Sequence, residues 1–200
     1  MIHSSHPLIV LTGGPGGGKT TLIEDLSRDP AWAGRFAALP EAIYALRHSG
    51  ISAQEKLFQR AMVQVQVGME DGLRRALEPH EPCLILCHRG ALDPLAFWLE
   101  RGWAEEEFFE YTQTTREGLY QRYTAVLHLV TAADGAIEHY TRWPAAHRPE
   151  QPEDAIRLDK LLQCAWGGHP NYYYLGNAGR DWAAKSKAAC EILEQCWENT

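Results

Sequence analysis

Positive charge is scarce in this chain: 19 lysines and arginines stand against 26 aspartates and glutamates, a formal charge of -7. That balance argues against a protein that coats nucleic acid, so no nucleic-acid partner is expected, although a small basic pocket fits inside an acidic protein. Cysteine is also sparse. Cys83, Cys87, Cys164, Cys190 and Cys196 form an odd set without C-x-x-C spacing, which indicates neither a zinc site nor a disulfide framework. Cys83 and Cys87 fall in an apolar run and read as small core residues. No apolar run approaches membrane-spanning length, and the start lacks the basic segment of a secretory signal. The expected location is a reducing cytoplasm. Internal repeats, low-complexity tracts and a separate linker are missing too, so the 200 residues read as one α/β domain, 1–200. An N-K-x-D guanine-reading motif is absent, as are a second arginine-finger motif and the helical domain of a ring motor.

Glycine, by contrast, is concentrated. Gly13-Gly14-Pro15-Gly16-Gly17-Gly18-Lys19-Thr20 follows the apolar run Leu8-Ile9-Val10-Leu11 and precedes a helix-like segment. Strand, glycine loop and helix are the context in which G-x-x-x-x-G-K-[ST], the Walker A pattern, means phosphate binding. Glycines remove the Cβ atoms that hold a phosphate away and let successive N–H groups turn inward. The helix start adds the positive end of its dipole. Lys19 would reach the β and γ phosphates, and the Thr20 hydroxyl would ligate Mg²⁺.

The rest of the chain supplies candidates in order. Residues 35–39 form a short strand candidate closed by Pro40, and Glu41 sits just past its carboxyl end, where open parallel sheets collect ligands. A glutamate there equally suits a helix start after proline. In residues 52–78, Leu57, Ala61, Val65, Met69, Leu73 and Leu77 recur every four residues, with Phe58, Met62 and Ala76 alongside. This predicts a core helix, bent or closely crossed at Gly68 and Gly72. Gln59, Arg60, Gln64 and Gln66 are open as substrate-facing groups.

Residues 82–87 form a buried strand that delivers His88, Arg89 and Asp93 to the ligand edge. Phosphate-transferring P-loop proteins usually end such a strand in a carboxylate. His88 stands there instead. Either Asp93 takes the metal role or Mg²⁺ rests on Thr20 and the phosphates. Arg89 either meets phosphates and acceptor or pairs with a nearby acid. A short helix is expected over 95–99, a longer one over 105–120, and a third buried strand over 124–130 with His128 as a satisfied core histidine. Residues 132–152 are irregular and carry Arg142 and Arg148. A lid that excludes water and brings cations to the transferred group fits them; a plain surface loop is the alternative. Helix over 153–166, strand over 171–175 ending at Gly176-Asn177, and helix over 181–197 close the chain.

Residues 11–26, Pro40-Glu41-Ala42, 88–93 and 155–177 together resemble small P-loop ATPases, often labelled AAA-type ATP-binding domains. They look more like nucleoside and nucleotide kinases, including nicotinamide riboside kinase domains. The resemblance covers nearly the whole chain. It implies a P-loop NTPase three-layer α/β sandwich with a five-stranded parallel sheet in kinase order, 2-3-1-4-5, and a lid at about 132–152. It places Glu41 and Asp93 beside the acceptor, Arg142 or Arg148 in the lid and Asn177 near the purine. The family more usually begins the stretch matching His88-Arg89-Gly90 with aspartate. Some relatives are GTP-binding, lipid-associated trafficking proteins rather than kinases.

The expected activity is transfer of the ATP γ-phosphate to a hydroxyl of a small-molecule acceptor. Its expected catalytic groups are Lys19, Glu41, Arg89, Asp93, Arg142 and Arg148. Gly13, Gly14, Pro15, Gly16, Gly17, Gly18, Lys19, Thr20, Thr21 and Asn177 would hold the nucleotide, and Thr20 and Asp93 the Mg²⁺. The alternative is a nucleotide-dependent switch with a protein partner, or a simple NTPase, motivated by His88.

Overall fold

Short apolar strands build the centre because their side chains are covered on both faces. The computed structural model describes residues 6–140, 151–179 and 181–199. Strands β1 (Leu8–Thr12), β2 (Phe36–Leu39), β3 (Leu84–His88), β4 (Ala125–Leu129) and β5 (Tyr172–Leu175) form one parallel sheet in the order β2-β3-β1-β4-β5. Every residue of β1, β3 and β4 is buried, whereas the edge strands β2 and β5 are partly exposed. The sheet bears out the expected order.

Helices α1 (Lys19–Arg28), α2 (Ile43–Leu46), α3 (Lys56–Leu77), α4 (Asp93–Glu100), α5 (Glu105–Thr112), α6 (Arg116–Tyr120), α7 (Pro152–Trp166) and α8 (Trp182–Glu198) cover the sheet. Strand alternation sorts the core into two layers. On one face Leu8, Val10, Ile85, Cys87 and Val126 pack with Val63, Leu95, Trp98, Phe108 and Trp166. On the other, Ile9, Leu11, Leu84, Leu86 and Leu127 pack with Leu22, Leu26, Ala189 and Leu193 of α1 and α8. Cys83 and Cys87 are buried and free, as read from the sequence. Among the described residues no helix is long and apolar enough to cross a membrane.

Three local expectations are corrected. The single helix over 105–120 is two, because Gln113 turns into the left-handed region at φ 57° and Thr115 caps α6 by accepting from Gly118 N at 3.0 Å. Helix α3 makes no close crossing at Gly68 and Gly72, which face open space. Its inward face is also wider than expected: Phe58 is buried and Met69, Leu73 and Leu77 pack on the core, but Gln59, Val63, Gln66 and Glu70 are buried beside them and Leu57 is 45% exposed.

Candidate active site

The carboxyl end of β1 opens into the glycine loop, and backbone geometry there demands glycine. Gly13, Gly16 and Gly18 have φ of 117°, 75° and 93°. A Cβ on Gly13 would stand 2.0 Å from Leu129 O, and one on Gly18 would meet the Trp182 ring at 2.2 Å. These contacts press the loop against β4 and the first turn of α8.

Lys19, 5% exposed, folds back to donate to Gly13 O at 2.7 Å and Gly14 O at 2.9 Å. Burial, aided by the Arg89 guanidinium, lowers its pKa to about 7 against the pull of Glu41, Asp93 and Asp159. A lysine so placed gains its full charge when an anion enters the loop. Thr20 and Thr21, in the first turn of α1, are exposed.

Besides β1, two strand ends contribute around that lysine. Glu41 follows β2, and its carboxylate lies 3.1 Å from His88 Nδ1 and 3.6 Å from Arg89 Nε. His88 ends β3, and its Nε2 is 3.0 Å from Thr20 Oγ1. Among the described residues Nδ1 has no aligned hydrogen-bond partner, so its approach to Glu41 is a charge contact, and the ring is hydrogen-bonded at Nε2 with the Thr20 hydroxyl. Burial lowers the His88 pKa to about 4 against Glu41, with Lys19 and Arg89 adding to the drop, which keeps the ring neutral.

Arg89 takes a left-handed backbone, φ 75°. Its amide donates to Leu11 O at 3.1 Å and its carbonyl accepts from Gln66 Nε2 at 3.1 Å. Its guanidinium donates to Asp93 at 3.0 Å and lies over the Phe97 ring. Asp93 is 1% exposed and already accepts from Thr12 Oγ1, Arg89, Gly90 N and Trp166 Nε1. With its lone pairs engaged in this way, the carboxylate is a clamp on Arg89, and the expectation of a metal ligand there fits the environment poorly.

The structure adds groups that sequence reasoning missed. Asp159 of α7 accepts from Gly14 N at 2.6 Å and from Thr131 N at 3.0 Å, and pairs with His128 at 3.0 Å. Its burial favours the neutral acid, but the bonds from His128, Gly14 and Thr131 outweigh it and lower its pKa. His128 is thus the core histidine read from the sequence, but it is only half satisfied: Nε2 meets Asp159, and Nδ1 is buried with no hydrogen-bond partner among the described residues. Asn177 donates to Thr131 O and Asp134 O, both at 2.7 Å, and accepts from Lys185 Nζ at 2.9 Å. Together these tie the loops after β4 and β5 to the glycine loop. The signal for Asp159 and Lys185 was a charged residue within an apolar helical stripe: Ala155, Leu158, Leu162 around the one, Ala189 and Leu193 beyond the other. Arg142 and Arg148 lie outside the described residues. The adjoining part of the expected lid backs the loop, with Ala132 N donating to Gly16 O at 3.3 Å and the Tyr140 ring over Gly16.

A family model for the AAA domain matches residues 8–182. No curated protein matches the chain. Among solved structures, deoxyadenosine kinase from M. mycoides with bound dATP is similar at a TM-score of 0.59 and 13% identity, over 94% of this chain and 100% of that one. The same enzyme with products dCMP and dCDP bound is similar at a TM-score of 0.56 and 15% identity, over 94% and 99%. The shared architecture is the P-loop, kinase-like fold.

Proposed function

Because the chain belongs to the AAA domain family, and on that premise, we propose that it binds ATP in the loop from Gly13 to Thr21 and moves the γ-phosphate to a hydroxyl of a small molecule. The observation that carries this reading is Glu41: a carboxylate at a strand end, 3.6 Å from Arg89, whose charge partly opposes the burial that lowers the Lys19 pKa. An acid set beside phosphate-binding cations is placed to orient or deprotonate an incoming hydroxyl. Lys19 and Arg89 hold charge on the transferred group, Asp93 keeps Arg89 aimed, and Asn177 braces the purine side. Arg142 and Arg148, expected from the sequence at about 132–152 and outside the described residues, would complete the cation set. The similarity to deoxyadenosine kinase supports a nucleoside as one acceptor to try first.

Mg²⁺ fits this site in part. The Thr20 hydroxyl is a suitable oxygen ligand, and Mg²⁺ when bound neutralises charge across the β and γ oxygens. The neighbouring donor, His88 Nε2, is a nitrogen and not the hard oxygen that Mg²⁺ prefers. That observation favours a second reading, a nucleotide-dependent switch without an acceptor.

Turnover of ATP with a panel of nucleosides and other hydroxyl acceptors separates the two. Acceptor-dependent ADP formation is expected, with Glu41→Gln lowering kcat roughly 10²- to 10⁴-fold at near-normal ATP affinity and Lys19→Ala losing ATP binding. Full turnover in Glu41→Gln, or nucleotide binding with no acceptor effect, would overturn the kinase reading.

A further inference from the structure

The geometry points to a positioning role for Trp182: we propose that its indole holds the turn at Gly18 in the shape that aims the first amides of α1 at the nucleotide phosphates, so that losing the ring weakens phosphate binding while the fold stays intact. The proposal rests on the nucleotide-binding reading above. It begins with an open helix end. Helix α1 has no side-chain cap, and its first backbone bond runs from Leu22 N to Gly18 O at 2.8 Å, so among the described residues the amides of Lys19, Thr20 and Thr21 have no acceptor. Open amides and the positive end of the helix dipole suit an anion there.

The aim of those amides depends on Gly18, the N-cap, whose φ is 93°. Glycine crosses between left- and right-handed backbone at little cost, which makes this the softest joint between loop and helix. Trp182 removes that freedom. A Cβ built on Gly18 would stand 2.2 Å from Cζ3, 2.7 Å from Cη2 and 3.1 Å from Cε3 of the indole, so the six-membered ring packs on the Gly18 Cα and leaves the turn no room on that side.

The ring is itself fixed. Its Nε1 donates to Asp25 Oδ2 of α1 at 3.0 Å, and its body packs on the core layer that includes Leu22, Leu26 and Ala189. The helix start that carries it is anchored as well: Asp181 caps α8 by accepting from Ala184 N at 2.8 Å, and Lys185 ties the same turn to Val130 O and Asn177 Oδ1. The indole is therefore a fixed wall against the soft joint of the glycine loop. A brace of this kind acts on the phosphates and not on the base, so its effect is the same for a nucleotide and for a bare polyphosphate.

The test is calorimetry with inorganic tripolyphosphate and with the β,γ-methylene analogue of ATP, each with Mg²⁺, on wild type, Trp182→Ala, Trp182→Phe and Asp25→Ala, beside Leu193→Ala as a core variant of the same helix. Trp182→Ala is expected to weaken both ligands by the same factor, ~10-fold or more. Trp182→Phe recovers part of that loss, and Asp25→Ala, which unfastens the ring without removing it, loses only ~3-fold. Leu193→Ala lowers the melting temperature and leaves both affinities unchanged. Loss of the analogue alone in Trp182→Ala, with tripolyphosphate binding intact, would make the ring a base contact and overturn the proposal. So would unchanged affinities in Trp182→Ala and Asp25→Ala, an equal loss in Leu193→Ala, or a wild type that binds the analogue but not tripolyphosphate. If Trp182→Ala does not fold, Trp182→Phe and Asp25→Ala decide. A folded wild type that binds neither ligand overturns the nucleotide-binding reading as well.

Discussion

A lysine amine survives burial only where oxygens surround it, and Lys185 meets that condition between the residues that follow β4 and β5. It is 4% exposed and donates to Val130 O at 2.6 Å and Asn177 Oδ1 at 2.9 Å. Burial lowers its pKa to about 8, with Asp159 opposing. Between that value and the ordinary lysine value near 10.4 the unfolded chain keeps a proton the folded chain has released. Stability from this group therefore grows as pH rises through that window and is lost as pH falls through about 8. Denaturant midpoints measured from pH 7 to 10 should show wild type gaining on Lys185→Met by at most about 3 kcal/mol. A difference that is flat with pH would remove the buried amine from the account. Residue-scale legibility divides the same way. Lys19 and Thr20 were readable because a local motif names them, whereas Lys185 and Asp159 act across loops distant in sequence. Arg89 was readable only as a choice between phosphate and acid, and the fold puts it against Asp93 and Glu41.

At the scale of elements, helix α3 is joined to the site by a buried polar network. Glu70, fully buried, accepts from Gln66 at 2.9 Å, Tyr123 at 2.8 Å and the Arg122 guanidinium at 2.9 and 3.1 Å. Burial pushes the Glu70 carboxyl up, while these partners pull it down. Gln66 also bonds the carbonyl of Arg89, and Tyr123 accepts from Ala91 N at 2.7 Å, so α3 supports the turn after β3. Replacing Glu70 by leucine should cost about 1–3 kcal/mol because Gln66 and Tyr123 lose a buried acceptor, while Arg122 keeps its pair with Asp71 at 2.7 Å. A double-mutant cycle with Arg122→Met, read by urea unfolding, should return about 1–3 kcal/mol of coupling, and additive losses would argue against the network. The sequence concealed this helix face. Period-four apolar residues from Leu57 to Leu77 pointed to one stripe, but Gln59, Val63, Gln66 and Glu70 follow helical spacing equally well. Their polarity is tolerated inside because partners from other elements satisfy it, and partners are not visible in a single segment. Buried strands were legible for the converse reason: an apolar run needs no distant partner to explain it.

Taken as a whole, the molecule gathers three strand ends and two loops around one small volume, so occupancy should register globally. At 100 times its Kd a nucleotide adds about 2.7 kcal/mol to stability, and in a chain of this size each kcal/mol shifts Tm by about 2–4 °C. Thermal unfolding with ATP and cation should therefore rise by roughly 5–11 °C. Lys19→Ala should show no such rise, and an equal rise in that variant would place the nucleotide elsewhere. Sheet order was legible because the glycine loop fixes β1 and the kinase-like pattern fixes its neighbours. The lining of an acceptor site depends on side chains from separate elements, which no spacing in the sequence specifies.

The bond from Gly14 N to Asp159 spans 145 positions of sequence. The loop that names the site therefore owes part of its shape to a residue made much later. During synthesis at about 5–20 residues per second, the glycine loop is complete well before α7 has emerged to brace it. A nascent chain stalled before Asp159 carries the phosphate-binding sequence without its geometry, and nucleotide can act as a folding ligand only in the last stage of the chain's emergence.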